Sequence, residues 1–218
     1  MIDLHTHTTF SDGALIPAEL ARRAASAGYR AVAMTDHADP SNMVFILGNL
    51  RRFVKEAGSF LGIDVYAGVE ITHAPPQLIP AMIAEAREAG AEIVVVHGET
   101  IVEPVAPGTN LAAIEGGADV LAHPGLITPE DAALAAEKNV LLEITTRKGH
   151  SLTNGHVAAM ARLHGAGLVI DNDAHAPADL VSRDLRTKIA RGAGLSSEEI
   201  CRAETNASRL LERILRGK

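Results

Sequence analysis

The chain has no tryptophan, and phenylalanine and tyrosine make up only 3% of its 218 residues. Such a composition disfavours an aromatic-rich β-sandwich: Ala, Val, Leu and Ile must fill the interior, which suits layered α/β packing. A single cysteine, Cys201, excludes an intrachain disulfide and removes any need for an oxidising compartment. Its helical context near the C-terminus reads as a buried, inert thiol. No apolar run reaches the ~18 residues of a membrane span, and no basic segment followed by an apolar one opens the chain. A soluble, cytoplasmic protein with no membrane partner is expected. Positive charge is also short, with 20 Lys and Arg against 27 Asp and Glu and a net charge of −7. Long nucleic acid is therefore disfavoured as a partner.

The 47% of hydrophobic residues suffices for a substantial core, and no linker or low-complexity block divides the chain, so one domain over residues 1–218 is expected. Seven short apolar runs read as strands: IDLHTH, AVAMTDH, DVYAGVEI, EIVVVHG, DVLAHP, VLLEIT and LVIDNDAH. Amphipathic stretches lie between them. One is PAELARRAASAG, with Pro17 at its start and Gly28 past its end; another is TPEDAALAAEKN, where Thr128 caps and Asp131 completes the start. Gly28, Gly62, Gly90, Gly117, Asn139 and Gly167 each stand just ahead of a strand. This alternation predicts right-handed βα units and a parallel sheet.

Nearly every strand ends in His, Asp or Glu. A closed barrel gathers all those ends on one face, whereas an open sheet gathers few, so the expectation is an α/β fold of distorted TIM-like (β/α)7 barrel type. In strand one, His5 and His7 share a face and Ile2 and Leu4 the opposite one. The collected candidates are His5, His7, Asp12, His37, Glu70, His97, His123, Asp173 and His175. Six imidazoles and three carboxylates exceed the needs of one ion and suit two or three divalent ions of Zn, Mn or Fe.

The HxH start with its following acid, the TDH, GVE and AHP motifs and the closing DAH together resemble the PHP (polymerase and histidinol phosphatase) superfamily. The resemblance runs to TNASRLL at Thr205–Leu211. It implies a trinuclear site: His5, His7, Glu70 and Asp173 at one ion, Glu70 bridging to a second ion with His97 and His123, and Asp12, His37 and His175 at the third. Two departures stand out, DNDAH where a serine precedes the aspartate in the family pattern, and a short connection after His97.

Three divalent ions against three carboxylates leave a local positive excess that suits a phosphate ester. The expected activity is metal-dependent hydrolysis of a small phosphorylated metabolite, L-histidinol phosphate being the best single candidate, with Glu70, His97 and Asp173 as catalytic residues. The alternative is a nucleotide- or oligonucleotide-directed phosphoesterase or exonuclease. Arg147, Lys148 and His150, in the loop after strand six, are candidate substrate contacts, as is Arg183. His73 reads as a surface residue, and His156 and His164 as helix residues in packing or solvent contact. Asp36 is read as orienting a ligand or capping a loop, Glu143 and Asp171 have no assigned partner, and Asp3 requires a hydrogen-bonding partner if it is buried. The family pattern of an amidohydrolase calls for a strand-end lysine, and none is found.

Overall fold

The computed structural model describes residues 1–216. Eight strands run in parallel: β1 Ile2–Thr6, β2 Ala31–Met34, β3 His37–Ala38, β4 Asp64–Ile71, β5 Ile93–His97, β6 Val120–Ala122, β7 Leu141–Thr145 and β8 Leu168–Asp171. Their order is β1-β2-β4-β5-β6-β7-β8, with β3 paired to β4. Seven strands form the path, as expected, and the two-residue β3 lies off it. Met34 pairs with Ala67 and His37 with Glu70, so the register is unchanged across Thr35 and Asp36. β3 is thus the tip of the second run, interrupted where Thr35 and Asp36 turn their side chains to Thr6 N and Thr8 N instead.

Helices α1 Pro17–Ser26, α2 Met43–Ala57, α3 Ile79–Glu88, α4 Thr109–Gly116, α5 Pro129–Lys138, α6 Asn154–His164, α7 Arg183–Gly192 and α8 Ser197–Arg216 surround the sheet. As expected, α1 begins at Pro17 with Gly28 left-handed just beyond it, and Thr128 accepts from Asp131 N at the head of α5. Alternate strand residues divide into two cores. Val94, Val96 and Leu121 pack with helix residues such as Leu20, Leu47 and Ile83, while Tyr66, Ile93, Val95, Val120 and Val169 form the barrel interior. Ala207, Leu210 and Leu211 of α8 join that interior cluster. Ile2 and Leu4 belong to it too, which breaks the strict alternation expected of β1. The register shifts between Asp3 and Thr6, and such a bulge re-aims the side chains beyond it.

The barrel closes where Thr6 bridges to Ala174, and His7 N donates to Ala174 O at 2.9 Å. Below that point carboxylates replace the backbone ladder. Leu4 N donates to Asp171 Oδ1 at 2.7 Å, and Asn172 N donates to Asp3 Oδ1 at 3.0 Å. Asp3 therefore has the buried partner it requires, and Asp171 gains one as well. Cys201, by contrast, is exposed: its position on α8 faces away from the Ala203–Ala207–Leu210 stripe that docks on the barrel.

Candidate metal centre

The C-terminal strand tips carry the chemistry, and the sequence-expected residues converge there. His5 Nε2 lies 3.3 Å from Glu70 Oε1, and His7 Nε2 lies 3.2 Å from Asp173 Oδ1, all four residues being buried. His123 Nε2 approaches Glu70 Oε1 and Asp173 Oδ2, each at 3.7 Å, and so joins this group to the next. His97, His123 and His150 offer ligand atoms within 4.8 Å of one another, as do His7, Asp12, His37 and His175. In the latter group His175 Nε2 is 3.2 Å and His37 Nε2 3.6 Å from Asp12 Oδ1.

Burial and mutual charge set the electrostatics. Burial opposes the charged form of His5, yet Glu70, Glu143 and Asp173 outweigh it and hold the imidazole well above its ordinary range. His7 is pushed down to about 4 by burial, and His123 falls well below its usual value for the same reason, aided by His97. Glu70 and Asp173 are held low against the effect of burial, Glu70 by His5 and His37 and Asp173 by His5 and His7. These carboxylates stay ionised in a dry site, as ligands must.

His5 Nε2, His7 Nε2, Glu70 Oε1 and Asp173 Oδ1 are buried with no hydrogen-bond partner. Leaving four such atoms unsatisfied side by side costs several kcal/mol, on the order of 1–3 for each, unless an ion fills the space between them. The donor set therefore fits a cation.

Supporting residues fix the ligands. His5 Nδ1 donates to Glu143 Oε1 at 2.8 Å, and His123 N donates to Glu143 Oε2 at 2.9 Å. His97 Nδ1 donates to Gly98 O at 3.1 Å, which fixes the tautomer and makes Nε2 the nitrogen available to an ion. Asp36 accepts from Thr8 N at 2.8 Å and Ser11 N at 3.0 Å, so it caps the loop that carries Asp12, one of the two roles expected of it. His123 and Asp173 have φ of 27° and 51°, sparsely populated for non-glycine residues and characteristic of functional sites.

Among the expected substrate contacts, Arg147 lies at the rim, its Nε 3.7 Å from Asp173 Oδ2 and its Nη1 3.2 Å from Asp179 Oδ2. Lys148 is exposed beside it. Arg183 is not brought to the centre: it opens α7, and its charge acts on the Met1 amino group at the foot of β1. His150 is buried, stacked on His123 with ring centroids 4.2 Å apart, and its ligand atom lies within 4.8 Å of those of His97 and His123. His73 is exposed as expected, yet its Nε2 lies 3.3 Å from Glu103 Oε2, and that same oxygen is 3.1 Å from His97 Nε2. Glu103 escapes sequence reading because an acid in a loop has no periodic signature. His156 donates to Ile127 O at 2.8 Å, a packing role.

Residues 3–99 match the family model of the PHP domain. An uncharacterised protein of Methanocaldococcus jannaschii is 49% identical over 200 residues, covering 91% of this chain and 92% of that protein. The chain belongs to the PHP superfamily. As a PHP protein its class is that of a metal-dependent hydrolase, and its clusters are compatible with divalent ions. Among solved structures, A. niger ochratoxinase superposes with a TM-score of 0.63 at 13% identity, over 96% of this chain and 70% of that one. An amidohydrolase gives 0.61 at 14%, over 99% and 73%. At such identities the likeness is one of barrel fold. Among the described residues no helix is long and apolar enough to cross a membrane.

Proposed function

We propose that this PHP protein hydrolyses a small phosphate monoester at a trinuclear metal site, with L-histidinol phosphate as the first candidate substrate. One observation carries the reading: buried, hydrogen-bond-free ligand atoms of His5, His7, Glu70 and Asp173 converge between two further ligand groups. His5, His7, Glu70 and Asp173 would hold the first ion. Glu70, His97 and His123 would hold the second, with His150 added, and Asp12, His37 and His175 would hold the third. Divalent ions, when bound, acidify water for attack and offset charge on phosphoryl oxygens.

The chain's own groups do the rest. Glu70, aimed at both His5 and His123, ties two ligand groups into one unit. Glu143 orients His5, and Gly98 O orients His97. Arg147 reaches inward from the rim, where paired N–H donors fit two phosphate oxygens. Replacing it by alanine is expected to raise KM for phosphate esters about tenfold with little change in kcat; an unchanged KM returns Arg147 to a structural pairing with Asp179. The reading itself is tested by a panel of histidinol phosphate, nucleoside monophosphates and a short single-stranded oligonucleotide. Preference for the first supports it. Preference for the oligonucleotide overturns the substrate class in favour of an exonuclease.

A further inference from the structure

The strand tips that bear the ligands all lie at one end of the barrel. At the other end, where turns lead into β5, β6 and β7, a cavity of about 880 Å³ opens between α2, α3 and α8. Five cations line it, Arg51, Lys55, Arg87, Lys138 and Arg213, against two acids, Glu92 and Asp119. That is a local positive excess in a chain whose net charge is −7.

All three guanidinium groups are held in place. Asp119, buried, accepts from Arg87 Nη2 at 2.5 Å and from Arg213 Nη2 at 2.8 Å, so it positions both while using only part of their donor capacity. Arg51 lies across Gly90 and donates to Ala89 O at 3.0 Å. A Cβ at Gly90 would stand 2.5 Å from the Arg51 Cζ, so glycine lets the guanidinium lie against the backbone here. Lys55 and Lys138 form no ion pair among the described residues. Val54, Ala91, Ala118 and Ile214 supply apolar wall beside the charges.

A volume in the range of small-molecule sites, cations spread over the four helices α2, α3, α5 and α8, and guanidinium groups already oriented match a ligand with more than one anionic group. We infer that this cavity binds a small molecule carrying two or more linked phosphates, separately from the metal centre. A single phosphate satisfies one or two of the five cations and leaves the others idle.

The test is a titration of the zinc-loaded full chain with ADP, inorganic pyrophosphate and AMP, followed by backbone amide resonances. Saturable shifts at Gly90, Gly117 and Asn139 are expected with ADP and with pyrophosphate. AMP is expected to bind about tenfold more weakly or worse. Pyrophosphate equal to ADP assigns recognition to the phosphates alone, and tighter ADP binding adds nucleoside contact with Val54 and Ile214; both support the site. Arg51→Glu and Lys138→Glu should each weaken binding about tenfold or more while hydrolysis of an aryl phosphate stays unchanged. Shifts confined to the surroundings of His97 and Asp173, AMP as tight as ADP, or affinity indifferent to both charge reversals would each overturn the proposal.

Discussion

Glu143 accepts at both of its oxygens, from the ring of His5 and from the backbone of His123. One side chain thereby locks a ligand in each of two groups. Glu143→Gln keeps the shape and loses the charge that makes the His5 bond strong, so ion affinity is expected to drop about 10–100-fold, measured by competition with a chelator. Equal affinity in the variant would remove Glu143 from the support of the centre. Burial raises the Glu143 carboxyl while His5 draws it down, so its ionised state depends on the imidazole beside it. Glu103 acts from the other side, its two oxygens within 3.4 Å of His73, His97 and His150. Three of these contacts join residues far apart in the chain and so are not legible from spacing: His5 with Glu143, 138 residues away, His73 with Glu103, 30 away, and Glu103 with His150, 47 away.

At the scale of elements, the seam between β1 and β8 is the departure from a regular barrel. Asp3 and Asp171 stand in for ladder bonds there, and burial raises both carboxyls, Asp3 to about 6. An unfolded aspartate titrates near 3.8. Folding thus favours protonated Asp3, whose contribution is full below pH 3.8 and lost as pH rises through about 6. In chelator-treated protein the stability of the native chain relative to Asp3→Asn should fall by roughly 3 kcal/mol between those values, read from urea unfolding. A pH-independent difference contradicts the assignment. A second element-level test concerns the turn after β6. Gly125 has φ of 63°, and a Cβ there would lie 1.8 Å from Glu99 O, so Gly125→Ala should lose about 2 kcal/mol or more of stability. A thermal midpoint equal to the native one would show that the turn relaxes freely.

Strand periodicity, closing glycines and polar strand ends were enough to read the barrel and to gather the nine candidates, because each depends on neighbours in sequence. The bulge in β1 and the carboxylate seam were not legible, since both arise from how β1 meets a strand that begins more than 160 residues later. The sequence places His150 in the loop after strand six, and only the fold shows its ring stacked on that of His123.

For the whole molecule, charge is divided by position rather than by amount. An acidic chain carries candidate imidazole and carboxylate ligands at one barrel end and arginine and lysine at the other, with the apolar interior between them. The account turns on the first of these ends being a cage for cations. The direct measurement is the number of divalent ions bound per purified chain, determined by elemental analysis alongside aryl phosphate hydrolysis before and after chelation. Two to three equivalents of Zn, Mn or Fe, with activity abolished on their removal and restored on their return, is the predicted result. A chain that binds less than one equivalent, or that hydrolyses the ester equally well when stripped, would contradict it.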